Sequence, residues 1–148
     1  MTALPKTCSL IDLTVHGDNR GSLIALERGN GLPFVIERVY YIYDTARDTA
    51  RGFHAHHNLQ QLAICVAGSC TMIVDDGVTR VPVPLDRPDR GLHIGSPVWR
   101  EMTNFSADCV LLVLASAPYE NADYIRDYDE FRRVVIQRDG ENHDDPLS

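Results

Sequence analysis

The sequence predicts an all-β domain, a sandwich or barrel of short strands, with one short α-helix near the C-terminus. Six segments are rich in β-branched, aromatic and aliphatic residues and are separated by turn residues: 21–27, 34–44, 59–69, 70–83, 91–95 and 109–116. The sequence Asp75-Asp76-Gly77 favours a tight turn that divides 70–83 into a hairpin. The 148 residues fit one domain. We expect its core over residues 8–135 and a polar tail over 136–148.

The segment that precedes this tail has helical rather than strand periodicity. Four residues fall at i, i+4, i+7 and i+11, which is one face of an α-helix: Tyr124, Tyr128, Phe131 and Val135. Asn121 or Asp123 is the expected N-cap. The pattern therefore predicts a helix packed on the outside of the β-domain.

Composition and charge exclude several classes of protein. Hydrophobic residues make up 44% and charged residues 24%, as in ordinary globular proteins. No apolar run approaches the roughly 20 residues of a membrane span, and residues 1–10 lack the apolar stretch of a secretory signal. A net charge of -7 argues against binding to nucleic acid. We therefore expect a cytoplasmic protein with neither a membrane nor a nucleic acid as partner.

The four cysteines are scattered and form no C-x-x-C pair: Cys8, Cys65, Cys70 and Cys109. Cys65 and Cys109 lie inside apolar runs, where a free cysteine behaves as a small hydrophobic residue. Reduced, structural thiols are expected in the cytoplasm. The pattern does not indicate zinc bound through cysteine.

Three histidines stand within ten residues in the segment "RGFHAHHNLQ", 51–60. On a strand His54 and His56 point to one face and His57 to the other, because successive side chains alternate. If the strand continues, the face of the pair becomes apolar through Leu62, Ile64 and Val66. Such a stripe places the two imidazoles at the mouth of a barrel, a usual position for a small-molecule site.

The same segment matches the metal-binding signature of the cupins at four positions: Gly52, His54, His56 and Gly68. The glutamate of that signature is replaced, since positions 60 and 61 are both glutamine, and no histidine follows Pro97 where a fourth ligand is required. Two neutral ligands make a poor site for a catalytic divalent ion. We therefore expect no metal and no cofactor. Imidazoles without a metal are free for proton transfer near neutral pH.

Five longer segments together resemble one family, the dTDP-4-oxo-6-deoxyglucose 3,4-ketoisomerases, which are metal-independent cupins of nucleotide-sugar biosynthesis. They are "GDNRGSLIALE", "LPFVIERVYYIYDT", "RGFHAHHNLQQLAICVAGSCTMIVDDG", "GLHIGSPVWREMTNFSADCVLLVLAS" and "YENADYIRDYDEF". The resemblance covers residues 8–131, nearly the whole chain. It implies a cupin-type jelly roll, a homodimer with exchanged N-terminal strands, and dTDP-4-oxo-6-deoxyglucose as substrate.

The implied reaction moves a ketone from C4 to C3 through an enediol or enediolate. It requires a base for the C3 proton, a proton for C4, and a donor that limits charge on the developing enolate oxygen. His54 and His56 can supply the proton transfers. Tyr40, Tyr41 and Tyr43 are candidate donors, and the resemblance favours Tyr40.

Three further polar residues are the expected substrate-binding groups: Arg51, Arg20 and Gln60. Arg51 has the opposite strand parity to His54 and can reach the site only if the chain bends at Gly52. Arg20 is the candidate for the dianionic diphosphate, because a guanidinium binds phosphate oxygens in pairs.

Three other functions remain open. A cupin 3,5-epimerase acting on the same kind of 4-oxo sugar typically pairs its histidine base with a buried aspartate, and no aspartate adjoins the histidine pair in the sequence. A metal-dependent cupin oxygenase is disfavoured by the absent ligands. A non-catalytic cupin that binds a sugar nucleotide would use the same residues as the isomerase.

Overall fold

The chain forms two facing β-sheets in a computed structural model that describes residues 3–46 and 48–143. Its strands are β1 (Cys8–Asp12), β2 (His16–Asp18), β3 (Gly21–Leu23), β4 (Arg38–Ile42), β5 (Arg51–His56), β6 (Gln61–Ala67), β7 (Cys70–Asp75), β8 (Arg80–Leu85), β9 (Arg90–Ile94), β10 (Trp99–Thr103), β11 (Val110–Ala115) and β12 (Tyr124–Ile125). A 3-10 turn spans Asn121–Asp123, and one helix, α1, spans Tyr128–His143.

The sheets have the orders β1-β9-β6-β11-β4 and β12-β5-β10-β7-β8, and every pairing is antiparallel. The inward faces of both sheets enclose one apolar core, which includes Ala63, Met72, Val83, Leu111 and Val113. Two five-stranded antiparallel sheets around one core, with a single C-terminal helix outside, confirm the predicted all-β jelly roll.

The edge strand β8 shows how strand periodicity sets the two faces. Val81, Val83 and Leu85 are buried, while the alternating residues Pro82 and Pro84 are exposed. Proline donates no backbone hydrogen bond, and β8 tolerates two of them because it pairs on one side only, with β7. The turn between β7 and β8 lies where Asp75-Asp76-Gly77 predicts it, with Gly77 at φ +92.

The predicted continuation of the histidine strand is wrong. β5 ends at His56, and β6 begins at Gln61 in the opposite sheet. Leu62 and Ile64 are buried on the outer face of β6, and Val66 is 44% exposed. In β5 the even-numbered residues face the interior, whereas in β6, after a four-residue connection, the odd-numbered residues do. The interior face of β6 therefore begins with Gln61.

The outer face of the first sheet is covered by the long connection between β3 and β4. Leu26, Leu32 and Phe34 from this connection pack on Leu62 and Ile64. The predicted strand over 21–27 is correspondingly short, because β3 ends at Leu23 and the following residues form this cover. The β2–β3 hairpin stands apart as a two-stranded sheet whose residues are all exposed.

The helix begins later and ends later than its periodicity predicts. Tyr124 lies in β12, which pairs with β5, so strand pairing overrides the helical spacing at this position. The N-cap is Asp127, whose carboxylate accepts a hydrogen bond from the Glu130 N–H at 2.9 Å. Residues 136–143, assigned above to the polar tail, continue the helix. Residues 144–148 lie outside the described part of the chain.

Phe131 is the anchor of the helix. It is fully buried with Ala55, Trp99 and Ile125, against the outer face of the second sheet. No helix among the described residues is long and apolar enough to cross a membrane.

Candidate active site

A bend at the start of β5 brings residues of opposite strand parity into one pocket. Gly52 has φ +90 and Phe53 φ +56, and the pairing with β10 shifts by one residue between Arg100 and Glu101. A Cβ on Gly52 would lie 2.9 Å from the Arg100 carbonyl oxygen, so glycine is needed both for its φ and for its lack of a side chain. The bend at Gly52 required for Arg51 is therefore present.

The pocket beside this bend has a volume of about 360 Å³ and is open at the barrel mouth. Tyr40, Arg51 and His54 line it together with Arg38 and Tyr124. Tyr40 points inward from β4, whereas Tyr41 and Tyr43 are 62% and 60% exposed. Of the three candidate tyrosines, the structure brings only Tyr40 to the histidines.

The two imidazoles face each other edge to face, with ring centroids 5.0 Å apart. The Tyr124 ring lies against both, at 5.1 Å from His54 and 4.5 Å from His56. His54 is partly exposed in the pocket, whereas His56 is 1% exposed. Both rings are thus fixed by packing, and His54 is the more accessible of the two.

Asp123 contacts the Nδ1 edge of the His56 ring. Its Oδ2 lies 3.0 Å from His56 Nδ1, and its Oδ1 accepts a hydrogen bond from the Asn58 N–H at 2.9 Å. A carboxylate can only accept, so Nδ1 of the neutral ring is the protonated nitrogen and Nε2 has the free lone pair. His56 Nε2 is buried and has no hydrogen-bond partner among the described residues. A proton acceptor is therefore held ready at Nε2.

A second chain of hydrogen bonds runs from Arg100 to Tyr40. Arg100 is 2% exposed and donates to the Val98 carbonyl at 2.9 Å and to Gln61 Oε1. Because a guanidinium is only a donor, Gln61 must present its oxygen to Arg100 and its Nε2 to Tyr40, whose hydroxyl oxygen lies 2.9 Å away. The Tyr40 oxygen accepts this bond, which leaves its own proton free to donate into the pocket.

Burial keeps the two imidazoles and the Tyr40 phenol neutral, and the Arg100 charge adds to this effect for the imidazoles. Burial, followed by the charge of Arg100, lowers the pKa of His54 from 6.5 to about 4 and lowers the pKa of His56 further. Burial raises the pKa of Tyr40 above its ordinary value of 10. Near neutral pH the site therefore holds two neutral imidazoles and a protonated phenol.

Arginines surround the mouth of the pocket. The Arg38 guanidinium lies 5.5 Å from the centre of the Tyr40 ring, and that of Arg126 lies 4.3 Å from the Tyr124 ring. A second pocket of about 360 Å³ adjoins the first and shares Arg38 and Tyr124 with it; His56 and Asp123 line this second pocket. Arginines against aromatic rings suit an anionic ligand with a planar, stacking part.

Two of the predicted substrate-binding residues lie elsewhere. Gln60 Oε1 lies 3.0 Å from His93 Nε2, in a separate polar groove. Arg20 is on the β2–β3 hairpin, where its side chain is 87% exposed and paired with Asp18. The structure thus gathers Tyr40, Arg51, His54 and His56 and leaves Gln60 and Arg20 outside the pocket of their own chain.

Sequence analysis missed five residues of the site: Arg38, Gln61, Arg100, Asp123 and Tyr124. Asp123 and His56 are 67 positions apart, so the absence of an aspartate beside the histidines in the sequence says nothing about the folded site. The motif "YENADYIRDYDEF" contains both Asp123 and Tyr124, but its helical spacing hid their role. Gln61 is apparent only once the parity of β6 is known.

A jelly roll with paired neutral imidazoles and a phenol at its mouth defines a cupin with a candidate acid/base site. The chain belongs to the family described as "FdtA: WxcM-like, C-terminal", which matches residues 6–136.

Relatives of known activity agree with this assignment. The chain is 51% identical over 120 residues to the TDP-4-oxo-6-deoxy-alpha-D-glucose-3,4-oxoisomerase of Aneurinibacillus thermoaerophilus, covering 81% of this chain and 86% of the relative. Among solved structures, it matches the WlaRB TDP-quinovose 3,4-ketoisomerase of Campylobacter jejuni with 53% identity and a TM-score of 0.84, over 87% and 99% of the two chains. It also matches the sugar 3,4-ketoisomerase QdtA of Thermoanaerobacterium thermosaccharolyticum, in complex with TDP, with 40% identity and a TM-score of 0.87, over 91% and 98%.

The predicted membership of the 3,4-ketoisomerases, and with it the isomerase class, is confirmed by these relatives. The alternative of an epimerase has only distant support. The 3'-monoepimerase ChmJ of Streptomyces bikiniensis is 20% identical with a TM-score of 0.71, which shows a shared fold alone.

Proposed function

We propose that this protein converts dTDP-4-oxo-6-deoxyglucose to its 3-oxo isomer. The observation that supports this most directly is the pair of neutral imidazoles beside the Tyr40 hydroxyl, in a chain whose relatives are TDP-sugar 3,4-ketoisomerases. The reaction needs only proton transfers, so no oxidant or reductant takes part.

His54 takes the C3 proton in the first step, because it is the imidazole that lines the Tyr40 pocket. The electrons of the broken C3–H bond form the C3–C4 double bond, and negative charge develops on the C4 oxygen. Tyr40 donates its free proton toward this oxygen, which stabilises the enediolate. Arg100 and Gln61 hold Tyr40 in the orientation that permits this.

His56 serves the second step, in which C4 gains a proton and the C3 hydroxyl loses one as the new ketone forms. Its Nε2 can accept a proton while Asp123 stabilises the resulting imidazolium at Nδ1. His56 then delivers the proton taken from O3 to C4, and His54 passes the C3 proton to Tyr40, which has given its own proton to O4. The sugar thus loses protons at C3 and O3 and gains them at O4 and C4, and all three side chains return to their starting state.

The diphosphate binds to arginines at the mouth of the pocket. Arg38 and Arg51 line it, and their guanidinium groups can each bind two phosphate oxygens. Arg20 is too exposed and remote to take this role in its own chain.

The proposal includes a homodimer with exchanged N-terminal strands. An isolated two-stranded hairpin is marginal in water, and pairing β2–β3 with a second copy would stabilise it. The same exchange would make Arg20 available to the partner's pocket. Edge strand β4 adds an outward apolar face, with Val39 55% and Tyr41 62% exposed. A mass near 16.6 kDa by light scattering at micromolar concentration would contradict the dimer.

The proposal also includes a cytoplasmic location, which the four free cysteines fit.

A second candidate, the 3,5-epimerase, is favoured by one observation, the partly buried contact between Asp123 and His56. Incubation with dTDP-4-oxo-6-deoxyglucose in deuterated water separates the functions by NMR. The isomerase places deuterium at C4 of the product and, on reversal, at C3 of the substrate. Deuterium at C5 would indicate the epimerase, and tight dTDP binding without any exchange would indicate a non-catalytic cupin.

A further inference from the structure

Three cysteines, distant in sequence, meet in the barrel core. The Sγ atom of Cys65 lies 3.5 Å from that of Cys70 and 3.8 Å from that of Cys109. All three sulfurs lie within 4.8 Å of one another, and the three residues are 0%, 3% and 2% exposed. We call these three residues the thiol cluster. Along β6, Cys65 is about 13 Å from Gln61 at the usual strand rise, so the cluster is separate from the histidine site.

Hydrogen bonds fix the backbone around the thiol cluster. Cys65 and Cys70 lie on either side of the β6–β7 turn, where Gly68 has φ +62. The loop before β11 is bonded to this turn, since the Ser69 N–H donates to Ser106 Oγ at 2.9 Å and the Ser106 N–H donates to the Ser69 carbonyl at 2.9 Å. The Cys109 N–H in turn donates to the Ser106 carbonyl at 3.1 Å. The three sulfurs are therefore held together by the fold.

The spacing of the sulfurs fits a three-coordinate metal ion. A metal bound at about 2.3 Å to three sulfurs in a trigonal plane separates them by about 4.0 Å. The shortest separations, 3.5 Å and 3.8 Å, need to open by only a few tenths of an ångström. A disulfide, by contrast, would require two of these sulfurs to close to about 2.05 Å.

The donor set selects the kind of metal. Among the described residues, no histidine or carboxylate joins the three sulfurs. Zinc favours four ligands, and calcium and magnesium require oxygen, so neither class fits this arrangement. Sulfur donors alone, in a dry apolar environment, favour a soft ion such as Cu(I). We propose that the thiol cluster is a binding site for Cu(I) or an equally soft ion of the same charge.

Binding of Cu(I) to the thiol cluster involves no change of oxidation state. One thiol gives its proton to solvent as the ion binds, so one positive charge replaces another in the apolar core; the other two sulfurs coordinate as neutral thiols, and the copper stays in the +1 state. Because binding releases a proton, affinity must increase with pH.

The fourth cysteine provides a matched control. Cys8 is buried at 7% exposure but is not a member of the cluster. Anaerobically purified protein is titrated with Cu(I) in competition with a chromogenic chelator, using wild type, Cys70→Val, Cys109→Val and Cys8→Val. We expect about one Cu(I) per chain in wild type and Cys8→Val, and at least tenfold weaker binding in the two cluster variants.

X-ray absorption of the copper-loaded wild type tests the site without any variant. Three sulfur neighbours at about 2.3 Å are expected. Nitrogen or oxygen neighbours, binding that survives both cluster substitutions, binding lost in Cys8→Val, or failure of wild type to compete with the chelator would each overturn the proposal. None of these outcomes bears on the isomerase, which the deuterium experiment tests separately.

Discussion

Asp123 Oδ2 lies 3.0 Å from His56 Nδ1, although the two residues are 67 positions apart in the sequence. The same carboxylate accepts backbone hydrogen bonds from Asn58 and Leu59, so it fixes both the ring and the turn that follows β5. The contact sets the tautomer of His56 and offers a counter-charge whenever that ring is protonated.

We predict that Asp123→Asn lowers kcat by about 10²-fold, near the lower end of the effect of losing an acid/base group, because the ring stays but its counter-charge is lost. Steady-state kinetics with dTDP-4-oxo-6-deoxyglucose measures this. Asp89→Asn is the control, since Asp89 pairs with Arg87 at the surface. Equal kcat values for the two variants would show that Asp123 is structural only.

His54→Asn and His56→Asn should each lower kcat by about 10²- to 10⁴-fold, because each removes a positioned acid/base group. The dissociation constant for dTDP should stay within a few-fold, since nucleotide affinity comes mainly from arginines and base packing. Isothermal titration and kinetics separate the two effects. His93→Asn, which changes contacts with Gln60 and Phe34 outside the pocket, should retain activity. Full activity in both site variants would leave these histidines structural.

The strands and the histidine pair were predictable because both depend on local patterns. Alternation along β8 and the turn at Gly77 are set by neighbouring residues, and the parity of His54 and His56 is intrinsic to one strand. The helix start was not predictable from periodicity, because pairing of Tyr124 with His56 competes with helix formation at that point.

The rest of the site depends on contacts between distant segments. The partnership of Arg100 with Gln61 requires two strands from opposite sheets, and that of Asp123 with His56 requires β12 to pair with β5. Neither contact can be inferred from the positions of these residues in the sequence. The exposed position of Arg20 depends on the hairpin's placement, which sequence spacing does not reveal either.

The pH dependence of kcat/KM should lack the acid limb of an ordinary histidine. The active form has neutral imidazoles, and burial with the Arg100 charge lowers the pKa of His54 to about 4. Activity is therefore lost only as the pH falls toward that value, and kcat/KM should be flat between pH 8 and pH 5.5. Arg100→Met should move the acid limb to higher pH, toward 6.5. Arg100→Lys retains the charge, so its acid limb should stay close to that of wild type. A wild-type limb near pH 6.5 would contradict the assignment.

Catalysis should not require a metal ion. Asp123, the carboxylate next to the histidines, is already bonded to His56 Nδ1 and to backbone N–H groups, so it is poorly placed to act as a ligand beside them. Protein treated with a strong chelator and then desalted should keep its full kcat. Loss of activity that Fe(II), Mn(II) or Zn(II) restores would refute this prediction.

Two adjacent glutamines allow a direct test of the chain that orients Tyr40. Gln61 joins Arg100 to the Tyr40 hydroxyl, whereas Gln60 bonds to His93 outside the pocket. In Gln61→Leu the Tyr40 hydroxyl loses its donor and can turn its proton away from the substrate, so kcat should fall by about 10-fold or more, toward the value of Tyr40→Phe. Gln60→Leu should leave kcat within about twofold. The double variant Gln61→Leu/Tyr40→Phe should be no slower than Tyr40→Phe alone, because both changes act on one hydroxyl. Additive losses would mean that Gln61 affects turnover by a route other than Tyr40.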